Sequence, residues 1–403
     1  MKTMVLSKDR IKNWIVITLL LLLLFSSYPY VFCQFIPLPD VKTISITFLL
    51  VFLFMLLIMR KITIFPLIFT GIVIIQSCCW ILFSIIHHDS TYITRVIFIF
   101  IAYLSLLCIY NTSFGIRNFS QLYSKFIFLM AFGGTICFFL VFLFSFTPFF
   151  NFNNQDGRTA YCFGLTCTNA YIGNVIRYAG YFDEPGAMAY WGIFALLSNR
   201  LFFYNRKFEL YLMLLLTFTF SMAYYIQAFF YIAFFYIKEI KHFLILVLSA
   251  LIIISGIYLT KDTDYDIYRF TIYRFEMDES IGELQGNNRA ELTEKAKIQF
   301  KKEPIFGIGA QNLNDIDYMA DNPYEILAKD GIVGTIVTYL PLMIMFIVGI
   351  KKEKSFLYAS IILALGYLQR PFHVNIMHVI MLYILTLLTI LENRDLFLIK
   401  IKK

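Results

Sequence analysis

A chain of 403 residues in which 60% are hydrophobic and only 15% charged is not a soluble domain, since those run nearer half apolar and a quarter charged. Its mean hydropathy is +0.73, and apolar runs near the ~20 residues needed to cross a bilayer recur along nearly the whole length. The composition specifies an all-α, polytopic transmembrane bundle in one integral membrane domain covering residues 1–403.

The chain starts with Lys2, Lys8, Arg10 and Lys12 ahead of an apolar stretch from Trp14 to about Phe32. No small-residue cleavage pattern follows it, so it reads as an uncleaved first span and not as a signal peptide. The next predicted spans are Val41–Met59, Ile62–Ile86, Tyr92–Tyr110, Phe126–Phe146 and Pro185–Phe203. After the stretch Glu209–Tyr236 come Phe243–Leu259, Pro323–Ile350, Phe356–Gln369 and Pro371–Leu391.

Short cytoplasmic loops gather Lys and Arg. Arg60 and Lys61, Arg117 and Lys125, and Arg206 and Lys207 fall at alternate loops, as a cytoplasmic N-terminus requires. Lys238 and Lys241, then Lys351, Lys352 and Lys354, then Lys400, Lys402 and Lys403 also belong inside. That holds only if Glu209–Tyr236 crosses twice or re-enters. At roughly 1.5 Å per residue the stretch is too short for two full spans. It accommodates two short helices broken near Thr219–Tyr225, buried in protein or facing a water-filled cavity. One long tilted helix is the alternative and would move the following loop to the cytoplasm. The broken form brings the total to about twelve spans, with both termini cytoplasmic in a bacterial inner membrane.

Two loops are then large on the outer face, Pro148–Glu184 and Thr260–Asn322. From Lys261 to Asp321 there are eight Lys/Arg and thirteen Asp/Glu, a balance of about −5 against about +13 for the rest of the chain. The net charge of +8 therefore reflects orientation in a membrane, and nucleic acid is not an expected partner. In the first loop Cys162 and Cys167 are close enough in sequence to pair in an oxidising compartment; two unpaired thiols in an aromatic-rich loop are the alternative. Cys78, Cys79 and Cys108 lie in spans as small apolar fillers, and no cysteine–histidine spacing resembles a zinc site. In the second loop Asn288 with Glu291 makes a capping-box-like start. Leu292, Ala296 and Phe300 then form an apolar stripe, and Pro304 ends the helix before a turn at Gly307 and Gly309.

Three inward-running helices begin with proline on the outer face, at Glu184–Pro185, Asn322–Pro323 and Arg370–Pro371. Proline at a first helical position wastes no hydrogen bond, and Asn322 with Glu325 is a second capping box. Helix N-termini attract anions. Together with Arg177, Arg289 and Arg370, near them in sequence or topology, they outline a candidate site for a phosphate-bearing ligand. Good capping alone also explains each one.

Two motifs stand in order along the chain. The first is Arg177-Tyr178-Ala179-Gly180-Tyr181-Phe182-Asp183-Glu184-Pro185-Gly186. The second is Arg289 followed by the amphipathic helix, Pro304-Ile305-Phe306-Gly307-Ile308-Gly309, Asp321-Asn322-Pro323-Tyr324 and Gly331-Ile332-Val333-Gly334. Their order, spacing and shared side resemble the O-antigen polymerase and O-antigen ligase superfamily, polytopic enzymes that handle lipid-linked glycans at the periplasmic face. The resemblance implies metal-independent glycosyl transfer without a cofactor. The donor glycan would sit on undecaprenyl diphosphate, and an acceptor hydroxyl would displace that carrier at the anomeric carbon. Arg177 and Arg289 stand where family arginines grip the diphosphate, a role that suits a fixed, permanently charged guanidinium fork. Arg158, Tyr181, Asn322, Tyr324, Arg370 and His373 are the candidate substrate-binding residues around them. The implied partners are the undecaprenyl-diphosphate-linked oligosaccharide, membrane lipids and a polysaccharide copolymerase that regulates chain length.

Ligases of this superfamily usually have His-Asn ahead of the helix, where this chain has Asp321-Asn322. A carboxylate takes a proton from a sugar hydroxyl if its pKa and position suit; Asp321 is the first candidate general base and Glu184 the second. The missing histidine favours the polymerase side over the ligase side. In Thr219–Tyr224 the family commonly has an arginine after the serine, and here Met222 follows Ser221. Either another cation, such as Arg158 or Arg370, substitutes, or the diphosphate has fewer contacts. His87, His88 and Asp89 read as a solvated turn, Arg95 as a residue snorkelling to the interface, and His378 as packed. A lipid-linked-glycan flippase or other transporter is the alternative of a different class. It requires charged residues within the spans, whereas here charge clusters outside them.

Overall fold

The computed structural model describes residues 8–27, 41–58, 65–110, 115–153, 158–237, 267–270, 272–278, 283–284, 290–316, 322–369 and 375–397, with scattered positions from 241 to 261. The first helices are α1 Lys8–Ser27, α2 Val41–Ile58, α3 Leu67–His87, α4 Thr91–Tyr110 and α5 Gly115–Phe144. Then β1 Phe150–Asn153, β2 Thr159–Cys162 and β3 Cys167–Thr168 form an antiparallel sheet in that order, and β4 Tyr171–Ile172 pairs with β5 Val175–Ile176. Helix α6 Pro185–Ser198 continues through a π-turn at Asn199–Phe203 and is followed by α7 Arg206–Thr217 and α8 Met222–Phe235. The later loop contributes β6 Met277–Asp278 with β7 Glu283–Leu284, helix α9 Ala290–Lys302 and the short α10 Ala310–Ile316. Helices α11 Glu325–Lys351, α12 Lys354–Gln369 and α13 Ile376–Glu392 complete the bundle.

Among the described residues, α3, α4, α5 and α11 are long and apolar enough to cross a membrane, and α1, α2, α8, α12 and α13 carry shorter apolar stretches. The outside of the bundle is itself apolar, with Leu67 82% and Phe144 74% exposed, as expected of helices surrounded by hydrocarbon. Helix α13 is buried from Ile376 to Ile390 and α6 over nearly its whole length. A helix that is hydrophobic all round belongs at the centre. Polar groups there have partners: Tyr383 donates to Gln76 Oε1 (2.5 Å), Gln76 Nε2 to the Val337 carbonyl (2.7 Å), and Tyr190 shares a hydrogen bond with His378 Nδ1 (2.9 Å). The packed His378 of the sequence reading is found there.

The two ends of the bundle differ. At one, Arg117 at the start of α5 pairs with Glu392 at the end of α13, and Lys352 pairs with Asp395 (2.6 Å). The other, the strand end, carries β1–β5 and the starts of α6 and α13, where the Met377 amide donates to Ser27 Oγ at the end of α1 (3.2 Å). Helix α5 begins at Gly115 and not near Phe126, because Ile116, Phe119, Ser120 and Tyr123 already form a buried stripe beneath exposed Arg117, Asn118 and Gln121.

The stretch 209–236 is two helices. They have 12 and 14 residues, about 18 and 21 Å at helical rise. A break inside a bundle leaves carbonyls that only protein can satisfy. Here Tyr224 donates to the Met213 carbonyl (2.5 Å), Tyr178 to Leu215 (2.8 Å), Tyr225 to Thr217 (2.8 Å) and Arg177 Nε to Thr219 (3.1 Å). Ser221 caps the start of α8 by accepting from the Tyr224 amide.

A second break lies in α11, at Gly331 (φ 62°, ψ −167°). Residues 304–309 are strapped across it. The amides of Ile332 and Val333 donate to the carbonyls of Pro304 and Ile305 (2.9 and 3.1 Å), and those of Ile308 and Gly309 to the carbonyls of Ala328 and Lys329 (3.0 and 2.9 Å). A Cβ on Gly331 would lie 2.3 Å from the Ile305 carbonyl oxygen, so only glycine fits this left-handed position.

Beside the break sits an ion pair that corrects the reading of Arg95 as a snorkelling residue. Arg95 Nη1 and Asp330 Oδ2 are 2.6 Å apart, with side chains 5% and 0% exposed. Tyr92 donates to the other carboxylate oxygen (2.9 Å), and the guanidinium lies 4.6 Å from the ring centroids of both Trp80 and Tyr92. A charge in an apolar bundle is tolerated when paired and surrounded this way. Removing one member leaves the other buried and unpaired, so Asp330→Ala or Arg95→Ala is expected to lose about 3–5 kcal/mol of stability. The double replacement Arg95→Met/Asp330→Leu should recover most of it, as read from melting in detergent. Equal melting of single and double variants would show that the pair is not what holds this region.

Candidate functional site

The motif Arg177–Gly186 and the break between α7 and α8 form one structural unit at the strand end. Hairpin β4–β5 packs Val175 and Ile176 against Phe138 and Val141 of α5 and against Phe220 in the break. That contact delivers Arg177 to the Thr219 carbonyl. Thr168 Oγ1 donates to the Arg177 carbonyl, fixing the backbone behind the guanidinium. Gly180 has φ +62°, and a Cβ there would press on Met188 and Met130; glycine turns the chain from Arg177 toward Glu184.

Glu184 stands immediately before α6, with Pro185 at the first helical position as read from the sequence, yet its side chain makes no cap hydrogen bond. Its carboxylate is 13% exposed and lies 3.6 Å from Nη1 of Arg158, whose side chain is 56% exposed. Capping is therefore not what occupies Glu184. The structure brings Arg158 and Glu184 together from opposite ends of the first loop, leaving a guarded carboxylate beside an accessible cation. Tyr181 donates to the Gly164 carbonyl (3.1 Å), which pins its hydroxyl against the turn between β2 and β3.

The second group of candidates gathers around the start of α11. Asn322 is fully buried, and its Oδ1 accepts from the Tyr324 amide (2.9 Å). This turn takes up residues 322–324, so regular helix starts at Glu325 and not at Pro323. Glu325 is consequently not the third residue of a capping box; its carboxylate pairs with Lys329 one turn on (2.5 Å). Tyr324 lies under α9, with the ring of Phe300 6.3 Å away and Lys297 Nζ 5.5 Å from its centroid. Helix α9 has the predicted stripe. Ala296 is buried with Leu313 and Ala328, and Phe300 packs on them. Arg289, Asp321, Arg370 and His373 lie outside the described residues.

The turn at His87–Asp89 is a docking point, which corrects the reading of a solvated turn. His87 Nε2 hydrogen-bonds the Phe306 carbonyl (3.1 Å). Asp89 is 2% exposed; its Oδ1 accepts from the Thr91 amide and its Oδ2 from the Gln311 amide, both at 2.8 Å. One carboxylate thus joins the start of α4 to that of α10. A cavity of about 30 Å³ lies deeper, lined by Gln76, Trp80, Arg95, Thr338, His378 and Tyr383 among others, room for a single water.

Arg95, Asp330 and Asp89 are the residues that sequence reasoning missed. Asp330 was the available signal, since an acidic residue inside a predicted span needs a named partner. No known protein family, characterised protein or solved structure matches this chain.

Burial alone would raise the Asp89 carboxyl, but the amides of Thr91 and Gln311 outweigh it and hold the pKa below the ordinary aspartate value. A depressed folded pKa gives stability that is complete above the unfolded value near ~3.9 and lost as pH falls through the folded one. Melting of the wild type should therefore drop in acid, below about pH 4. Asp89→Asn should melt lower at pH 7 and lose this part of the acid dependence. An unchanged acid limb in Asp89→Asn would remove Asp89 as its source.

Proposed function

We propose that the chain is a polytopic bacterial inner-membrane glycosyltransferase of the O-antigen polymerase type. It would join undecaprenyl-diphosphate-linked oligosaccharide repeats at the periplasmic face. The observation that carries this reading is the bond from Arg177 Nε to the Thr219 carbonyl. It joins the stretch 177–186, which resembles the superfamily, to the stretch 219–224, which departs from it at Met222, at one end of the bundle. Four further features support the reading. Glu184 is nearly buried, uncommitted to capping and paired with Arg158. The helix break gives α7 and α8 as two short helices, compatible with the expected count of about twelve spans and cytoplasmic termini. Asn322 and Tyr324 form a tight turn beneath α9. Asp321 replaces the histidine usual in ligases.

In this mechanism Arg177 and Arg289 bind the diphosphate and stabilise the charge that grows on it as the glycosidic bond to the carrier breaks. Asp321 or Glu184 accepts the proton of the attacking sugar hydroxyl. Arg158, Tyr181, Asn322, Tyr324, Arg370 and His373 line the substrates. A chain-length-regulating copolymerase is the expected protein partner.

A transporter is the second reading, favoured by one observation, the Arg95–Asp330 pair inside the bundle. Both charges there are already matched by each other, Tyr92 and Trp80.

Reconstitution with carrier-linked repeats, scored by glycan length on a gel, tests the proposal. Wild-type protein should build a ladder, and Arg177→Ala or Arg289→Ala should slow it by about 10²–10³-fold. Glu184→Gln and Asp321→Asn would identify the base by which one loses turnover with binding retained. An unaltered ladder in Arg177→Ala and Arg289→Ala would sink the enzymatic reading. Movement of labelled repeats across vesicles without polymer would instead favour the transporter. In cells, deletion should leave single repeats on an otherwise intact lipopolysaccharide; no repeat on the lipid core would mean ligase.

A further inference from the structure

Cys162 and Cys167 face each other across β2 and β3 as direct register partners, 3% and 2% exposed. Their backbone groups turn away from one another. The Cys162 carbonyl accepts from the Phe149 amide (2.8 Å), the Cys167 amide donates to the Gly180 carbonyl (2.7 Å), and the Cys167 carbonyl accepts from Ala179 (3.0 Å). The two cysteines are therefore a non-hydrogen-bonded cross-strand pair, the class with side chains closest together and Cα atoms about 4.5 Å apart. That separation falls within the range a disulfide spans, about 4.4–6.8 Å.

We infer that Cys162 and Cys167 form a disulfide in the mature protein, closing the β2–β3 hairpin. The inference rests on the reading that this loop faces the oxidising side of the membrane. The bond would tie the strand that follows Arg158 to the strand whose other edge holds Ala179 and Gly180, and so steady the Arg158–Glu184 pair from both sides. Tyr181 packs on the same small cluster of Phe152, Ala160, Cys162 and Cys167, which would shield the bond from reductant once formed.

The chemistry is thiol–disulfide exchange with a disulfide-bearing oxidant. The Cys162 thiolate attacks one oxidant sulfur and expels the other as a thiolate. Cys167 then loses its proton and attacks Cys162, expelling the second oxidant sulfur. Two protein thiols become one disulfide and the oxidant disulfide becomes two thiols, protons included. A hydrogen bond from the Cys167 thiol holds Cys162 down to about 7, despite burial, and pushes Cys167 up, which suits Cys162 to be the attacking sulfur. Cys137 is the third thiol nearby, with Sγ donating to the Phe163 carbonyl at 3.7 Å.

The test is peptide mapping of the full-length protein, alkylated with N-ethylmaleimide in its membrane and again after unfolding, without reductant. The expected product is a cross-linked species containing residues 162 and 167, two hydrogens lighter than the dithiol, with Cys108 alkylated after unfolding as the control. Alkylation of both Cys162 and Cys167, or a bond from either to Cys137, overturns the inference. A second arm separates this failure from failure of the topology. Leu165 is 50% exposed at the hairpin tip, and Leu165→Cys in a Cys162→Ser/Cys167→Ser background is probed in spheroplasts with an impermeant maleimide. Labelling in spheroplasts together with free native thiols rejects the disulfide and keeps the outward placement. Labelling only after lysis rejects both. Should the double serine background not accumulate, Leu165→Cys in the wild-type background, mapped by peptide, serves the same arm.

Discussion

The Arg95–Asp330 ion pair sets the geometry of the strand end. Neither charge tolerates an apolar bundle alone, so α4 and α11 meet at one register. Gly331 follows Asp330 directly and breaks the helix there. The segment 322–330 is therefore not carried rigidly by the rest of α11. Its direction is set on one side by the ion pair and on the other by the strap 304–309, whose backbone bonds fill the break. Because the strap begins two residues after α9 ends, the pair also determines where α9 rests, with Tyr324 and Ala328 beneath it. Asp89 adds a second tie, from the α3–α4 turn to α10.

The first half of the chain solves a similar problem with side-chain donors. Three carbonyls of α7, at Met213, Leu215 and Thr217, receive tyrosine hydroxyls, and that of Thr219 just beyond it receives a guanidinium nitrogen. Both breaks obey one constraint: irregular backbone within a bundle persists only where protein supplies its hydrogen bonds. For Arg177 this has a consequence. One nitrogen is engaged at the Thr219 carbonyl, so the guanidinium is held in orientation, and on the proposed reading it would meet the diphosphate as a preorganised donor.

Much of this was legible in the sequence where the physics is local or counted. Basic loops on alternate sides and the shortness of 209–236 favoured a break near Thr219 over one long tilted helix, and the structure has a break at 218–221. The stripe Leu292–Ala296–Phe300 specified α9, whose observed buried contacts are made by Ala296 and Phe300. Arg95 was misread because a sequence presents each charge alone. Its partner is 235 positions away and sits next to a glycine that looks like helix interior. Asp89 was misread for the same reason, as half of its function is the amide of Gln311. The shift of the α11 start from Pro323 to Glu325 comes from Asn322 bonding to the Tyr324 amide, a choice between two local bonds that spacing does not decide.

The same constraint bears on the choice between chemistry at one end and transport through the middle. Several interior polar groups are matched to one another: Gln76 with Tyr383 and Val337, His378 with Tyr190, Arg95 with Asp330 and Tyr92. The cavity among them has room for about one water. Passing a lipid-linked sugar between α3, α4, α11 and α13 would require these pairs to separate in a low-dielectric setting, where an exposed charge is most costly. A reaction at the strand end asks for no such separation. There the Arg158 cation is accessible and the Glu184 carboxylate lies 3.6 Å from it, so on the proposed reading a substrate would meet both with the bundle intact. On the proposed reading the Arg95–Asp330 pair is a lock on the scaffold and no part of a transport path, and the chemistry belongs at the end of the helices.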